Sequence, residues 1–153
     1  MFRPTGCQLC DHPPCLEVGP STATRKRADG SVTLDEDLCI GCGYCLMACP
    51  YDARALTAAE AARRPVGTGV ASKCDFCAGR IDAGRAHSLT PGRDPEATPL
   101  CVNSCISGAL RFGDLDDPHD PVASLLAEHQ WFRLHEDQRT GPGFYYLWDA
   151  APP

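Results

Sequence analysis

The sequence predicts a small α+β fold of short hairpins and helices, gathered around clustered cysteines instead of a large aliphatic core. Three observations predict it. Leu, Ile, Val and Phe together supply only 28 of 153 residues, a share at which a chain without other support stays disordered. The 14 Pro and 14 Gly keep any helix or strand short. Finally, 11 cysteines fall into groups with metal-ligand spacing, so bound metal would supply the folding free energy that apolar burial cannot.

The chain is organised around Cys39, Cys42, Cys45, Cys49 and Pro50, a C-x2-C-x2-C-x3-C-P run. This spacing holds a cubane iron–sulfur cluster in bacterial ferredoxins. Cys39, Cys42 and Cys45 share one tight loop, so three thiolates converge on three irons of one cube. Cys49 follows Cys45 by one helical turn and points away, toward a second cube. Gly41 and Gly43 let the backbone approach the inorganic core, where a Cβ would crowd it, and Pro50 stops the short helix. The expected architecture is therefore a cysteine-rich ferredoxin-like fold of the bacterial dicluster type.

Upstream, Cys7, Cys10 and Cys15 form C-x2-C-x4-C-x3-G-P, a second copy of the run with Gly19 in place of the last cysteine. Pro13 and Pro14 are expected to forbid helix here and to hold the loop extended; His12 is read as a loop residue. Interlocking of the two runs assigns Cys7, Cys10, Cys15 and Cys49 to one complete 4Fe-4S cluster. Cys39, Cys42 and Cys45 are left with glycine as fourth partner. That site is expected to hold a 3Fe-4S cluster, or an incomplete 4Fe-4S cluster capped by water or an oxygen such as that of Ser21, or to be vestigial.

Between the runs, residues 22–25 and 31–34 read as a β-hairpin turning at Asp29-Gly30, a strong turn pair. Residues 53–57 read as a short return strand, and 57–64 as an alanine-rich helix with Thr57 as cap and Glu60 three positions on. A third group, Cys74, Cys77, Cys101 and Cys105, makes C-x2-C-x23-C-x3-C, a partial cluster site or, read alone, a zinc ribbon. A helix is expected from Ala78, a loop over 87–100, and a strand over 109–113. Asp120 is placed to cap a helix over 121–130, with Val122, Leu125, Leu126 and His129 on one face. Residues 144–148 form a β-prone aromatic strand. That tail is either core packing or a segment docked on a partner. The predicted domains are a dicluster ferredoxin-like domain at 1–57, the remainder of a second ferredoxin-like repeat with an incomplete ligand set at 58–115, and a C-terminal tail at 116–153.

The formal net charge of −6 gives no support to nucleic-acid or acidic-membrane binding; the one basic run, Arg25-Lys26-Arg27, reads as a solvated face. No apolar stretch approaches the ~20 residues of a membrane span. A disulfide scaffold is opposed by the odd cysteine count, the clustering and the lack of a signal-peptide pattern. The five histidines are scattered, and no Ser/His/Asp or Cys/His constellation occurs. Clusters without catalytic residues point to a conduit for electrons.

Several stretches carry a family likeness. Cys7-x2-Cys10 with Pro13-Pro14-Cys15, Asp37-x-Cys39-Ile40-Gly41-Cys42, Cys49-Pro50-Tyr51-Asp52-Ala53-Arg54, Lys73-Cys74-x2-Cys77 and Cys105 with Ala109-Leu110-Arg111-Phe112-Gly113-Asp114 resemble the four-cluster iron–sulfur subunits of the dimethyl sulfoxide reductase, or molybdopterin oxidoreductase, family. The likeness runs from about Cys7 to Trp148. It implies two fused ferredoxins relaying electrons between a molybdopterin (Mo or W) catalytic subunit and a membrane quinone-linked subunit. Residues 89–101 and 104–106 are similar to the iron–sulfur subunit of phenylacetyl-CoA:acceptor oxidoreductase and its relatives; sulfite- and thiosulfate-type enzymes fit as well. The resemblance implies that Cys74, Cys77 and Cys101 share one cluster, that Cys105 serves another, and that both need a further upstream cysteine run. This chain starts after the place for that run, as a late start codon or truncated gene would leave it, and Ile106 stands where a proline is usual. The expected role is a non-catalytic beta subunit, cytoplasmic and membrane-associated through its partners, or periplasmic by co-export with one. The competing expectations are a stand-alone ferredoxin and a zinc-binding structural module.

Overall fold

The computed structural model describes residues 4–58 and 69–148. The expected helix over 57–64 lies almost wholly outside them. Two units divide the chain: Met1–Asp75 with Arg133–Phe144, and Phe76–Phe132 with Tyr145–Pro153.

The first unit opens with α1 (Pro14–Glu17), a helix where the prolines are expected to forbid one. Pro13 is its N-cap at φ −77°, ψ 107°, and Pro14 occupies its first turn. That position needs no N–H and suits proline's fixed φ. The hairpin follows as β1 (Thr24–Lys26) and β2 (Val32–Leu34), antiparallel, with Thr24 opposite Leu34 and Lys26 opposite Val32. Its turn is built as the Asp-Gly pair predicts. Gly30 takes φ +80°, and the Asp29 carboxylate accepts from the Ser31 N–H at 3.0 Å and hydroxyl at 2.6 Å.

Helix α2 (Tyr44–Met47) packs against α1. Its N-cap Gly43 has φ +76° and open space where a Cβ would stand, so glycine is required there by conformation. Gly41 has φ +71°, and a Cβ on it would overlap the Gly69 carbonyl. The close approach at Gly41 is thus to the protein's own backbone, a different neighbour from the inorganic core that the sequence suggests. Gly41→Ala is expected to cost more than ~1 kcal/mol, read as a lower thermal midpoint of the intact chain.

The return strand is β3 (Ala55–Leu56), paired antiparallel with β4 (Ala71–Ser72), a pairing the sequence does not reveal. Val70, Ala71, Ala23, Cys39 and Cys45 form a small buried cluster, with Cys15, Leu34 and Leu46 against it. The Lys73 ammonium spans the unit to donate to the Val32 carbonyl. Residues 133–144 return to the N-terminal loop through three backbone bonds. Asp11 N–H donates to Gly141 O at 2.8 Å, His12 N–H to Thr140 O at 2.9 Å, and Gly143 N–H to Gln8 O at 2.7 Å.

The second unit holds α3 (Ala78–Ala86), a 3-10 turn (Pro95–Ala97), α4 (Leu100–Asn103), α5 (Pro121–Glu128), β5 (Gln130–Phe132) and β6 (Tyr146–Trp148). α3 lies so close on the 3-10 turn that a Cβ on Gly84 would overlap that of Ala97. Arg80 ties the proline-rich loop down, donating to Thr98 O at 2.8 Å and Pro95 O at 2.5 Å.

Residues 109–113 carry no strand, contrary to expectation. The backbone N–H groups of Ala109 and Leu110 turn toward the Cys105 sulfur, and just beyond the stretch the chain is held by Asp120, which is buried. Its carboxylate accepts from the Asp114 N–H at 3.1 Å and from the Val122 N–H at 2.8 Å, so it caps α5 as predicted and also anchors the preceding loop in place of a ladder. Phe112 packs on Phe76, ring centroids 6.0 Å apart. Asp120→Ala is expected to cost about 1–2 kcal/mol, a lost helix cap plus the loss of the part-buried bond to Asp114; the thermal midpoint of the intact chain measures it. The aromatic strand forms as β6 and pairs antiparallel with β5, which the sequence does not reveal. Phe132 stacks on Tyr146 at 5.3 Å, and Trp131 meets Tyr145 edge-on at 5.0 Å.

Candidate iron–sulfur centre

The loop before α1 carries Cys7 and Cys10, α1 itself carries Cys15, and Cys49 follows α2. Because α1 and α2 pack together, thiols from the two runs come within electrostatic reach of one another. The charges acting on Cys10 come from Cys7, Cys15 and Cys49, and those acting on Cys15 include Cys49 and Cys7. Cys10 is buried, the other three half-buried.

Burial is the largest influence on both groups and pushes the Cys10 and Cys15 thiols up. A hydroxyl bond from Thr140 pulls Cys10 back and the Arg54 guanidinium pulls Cys15 back, while the neighbouring thiols raise both further. Thiolate ligation here must therefore expel protons as the positive irons enter. Four sulfurs with polar donors beside them suit a cube whose thiolates stay negative.

Those donors are Arg54 and Thr140, and Tyr51 is bonded to the threonine. Arg54, just before β3, is buried and donates to Cys15 Sγ at 3.1 Å and to Thr24 Oγ1 at 3.1 Å. Tyr51 Oη lies 2.5 Å from Thr140 Oγ1 and donates to Leu134 O at 3.3 Å. Its ring meets His135 edge-on at 5.6 Å. Sequence reasoning gives none of these residues a role. Arg54 and Tyr51 stand within five residues of Cys49, which is a usable signal; Thr140 is 130 residues from Cys10 in a featureless loop, and nothing in its surroundings marks it.

Cys39 and Cys45 are buried in the small apolar cluster and Cys42 is exposed. The Ala71 N–H donates to Cys39 Sγ at 3.3 Å. Position 19 is informative. A Cβ built on Gly19 would lie 3.6 Å from Leu16 O and 3.8 Å from Cys15 O, ordinary contacts, and its φ lies outside the left-handed region. A side chain is missing there without being excluded. Ser21 is half-buried. Around this loop Ile40, Tyr44 and Met47 are exposed, at 60%, 52% and 77%.

The third group is divided between the units: Cys74 belongs to the first, and Cys77, Cys101 and Cys105 to the second. Cys77 is the N-cap of α3 in left-handed conformation, φ 56°, and Cys101 lies in α4. Cys105 is half-buried. Its thiol is held below its ordinary value by Ser107 Oγ, 3.4 Å away, and by the backbone N–H groups of Leu110, Ala109 and Gly108. Such a cradle of donors favours a thiolate. Among the described residues, no three of His, Cys, Asp or Glu come close enough to hold one metal ion. A single zinc requires its sulfurs at about 2.3 Å from one point, whereas a cube spreads its thiolates over separate irons.

A family model for the 4Fe-4S dicluster domain matches residues 1–115. The chain is 39% identical to a subunit of tetrathionate reductase from Salmonella typhimurium over 149 residues, covering 96% of this chain and 52% of the relative. It is 37% identical to a subunit of sulfite dehydrogenase from Allochromatium vinosum over 145 residues, covering 94% and 55%. It is 36% identical to the Hdr-like menaquinol oxidoreductase iron–sulfur subunit 1 of Archaeoglobus fulgidus over 157 residues, covering 95% and 56%. The chain spans about half the length of the curated relatives it matches.

Proposed function

The chain belongs to the 4Fe-4S dicluster family, and from that premise we propose that it conducts electrons as the iron–sulfur beta subunit of a molybdopterin oxidoreductase. Its ferredoxin-like α+β fold of short hairpins and helices suits the role. Iron–sulfur clusters accept and release single electrons, with potentials set by hydrogen bonds, charge and exposure. The chain's own residues hold, bury and polarise them, and it is non-catalytic.

In this reading Cys7, Cys10, Cys15 and Cys49 hold a 4Fe-4S cluster. Cys39, Cys42 and Cys45 hold a 3Fe-4S or incomplete 4Fe-4S cluster, because Gly19 offers no fourth ligand. Cys74, Cys77, Cys101 and Cys105 are proposed as ligands of further clusters; for a single zinc, no three of them come together among the described residues. The observation that carries the reading is that Cys49, carried by the packing of α2 on α1, acts electrostatically on Cys10 and Cys15 as Cys7 does.

The partners are a molybdopterin catalytic subunit and a membrane quinone-linked subunit. The names of the relatives, which are subunits of a reductase, a dehydrogenase and a menaquinol oxidoreductase, support that placement. Among the described residues no helix is long and apolar enough to cross a membrane; the proposal places membrane association with the partners, at the cytoplasmic face or, by co-export with one of them, the periplasmic face. The likeness of residues 89–106 to the iron–sulfur component of phenylacetyl-CoA:acceptor oxidoreductase makes that the substrate class to test first.

Iron and acid-labile sulfide assays on anaerobically purified protein test the core of this. Both are expected to be present with a cluster EPR signal, and co-purification with a pterin-containing chain is expected from native extracts. Colourless protein with stoichiometric zinc and no sulfide would overturn the reading.

A further inference from the structure

Arg54 poses a problem of charge. Guanidinium groups are almost never fully buried unless paired, and arginine cannot shed its proton. Yet Arg54 is only 6% exposed, and its bonds go to Cys15 Sγ and Thr24 Oγ1. No carboxylate pairs with it among the described residues. An uncompensated buried cation is strongly destabilising, so the fold requires negative charge at this spot. The thiolate group of Cys7, Cys10, Cys15 and Cys49 is where that charge stands.

The fork is also held in place. Thr24 is buried at the start of β1, and its oxygen fixes one arm while the other reaches the sulfur. At Cys39 one donor is the neutral N–H of Ala71. A charge-assisted bond is about twice as strong as a neutral one, and its effect grows when the acceptor gains negative charge.

We propose that Arg54, aimed by Thr24, is a positioning residue that raises the reduction potential of the site formed by Cys7, Cys10, Cys15 and Cys49. One electron enters that site on reduction and adds one negative charge beside the fixed cation. The reduced form is stabilised more than the oxidised form. No proton or further reactant is needed for the balance. The inference rests on the ligand assignment proposed above.

The experiment is an anaerobic potentiometric titration of the full cluster-loaded chain, followed by EPR. The reduced four-iron signal reports the first site and the oxidised three-iron signal the second. Arg54→Gln is expected to lower the reduced-to-oxidised ratio of the first site at least tenfold at fixed potential, equal to about 59 mV for one electron. The second site should not move. Arg54→Lys, which keeps the charge, should restore part of the ratio, a rescue that mere loosening of the fold would not give. Thr24→Val, which keeps the guanidinium but frees it, should lower the ratio by a smaller factor.

A first-site ratio unchanged in Arg54→Gln, or equal shifts at both sites, would overturn the proposal. If Arg54→Gln cannot hold the first cluster, the other two variants decide: unchanged ratios in both would overturn it. An unsubstituted chain without iron or sulfide removes the ligand assignment itself. A fully loaded chain with unmoved ratios removes only the role of Arg54.

Discussion

Cys49→Ser is expected to abolish the four-iron signal of the site held by Cys7, Cys10 and Cys15, while the signal from Cys39, Cys42 and Cys45 persists. The direction is opposite to sequence proximity, since Cys49 lies four residues from Cys45 and 34 from Cys15. It follows from the packing of α1 on α2, which sets Cys49 among the N-terminal thiols. The effect should be large on folding too. Among the described residues the buried apolar cluster of this unit is five residues, two of them cysteines, so metal ligation is expected to supply much of its stability; structural zinc sites of comparable ligand number contribute about 10–16 kcal/mol. EPR of oxidised and dithionite-reduced protein, with a thermal melt of each, measures both consequences. Loss of the second signal with retention of the first would contradict the interlocking.

The second large effect is expected from Gly19→Cys. The ordinary contacts a Cβ would make at Gly19 mean that a cysteine there enters without strain, and the helical turn before it need not move. The variant should convert the three-iron EPR signal of the second site into a reduced four-iron one, with one more iron per chain by analysis. Gly19→Ala, with the same backbone and no sulfur, should leave the three-iron signal as it was. Persistence of that signal in the cysteine variant would show that position 19 does not face the second site.

The legible parts of this protein are those fixed by local chemistry. Cysteine spacing, the Asp29-Gly30 turn and the Asp120 cap each depend on a few adjacent residues, and the turn and the cap are found in the structure as expected. The missed parts are decided by distant partners or by a residue with two readings. Pro14 reads as a helix breaker, but in a first turn it is a helix starter. The stretch 109–113 has strand-like composition, yet the N–H groups of Ala109 and Leu110 turn toward the Cys105 sulfur and the carboxylate of Asp120 takes the adjacent Asp114 N–H. At the candidate centre the sulfur groups are readable, whereas their polarising donors are not. Arg54 and Tyr51 look like ordinary residues of a motif, and Thr140 reaches Cys10 only through the return of residues 133–144.

That return has a consequence for the order of events in the cell. Tyr51 and Thr140 are 89 residues apart, so at about 5–20 residues per second the ribosome needs roughly 4 to 18 seconds to deliver the threonine after the tyrosine. Under the proposed ligand assignment, Cys7, Cys10, Cys15 and Cys49 are all made before Thr140 exists, so the hydroxyl that bonds Cys10 joins a set of thiols already synthesised.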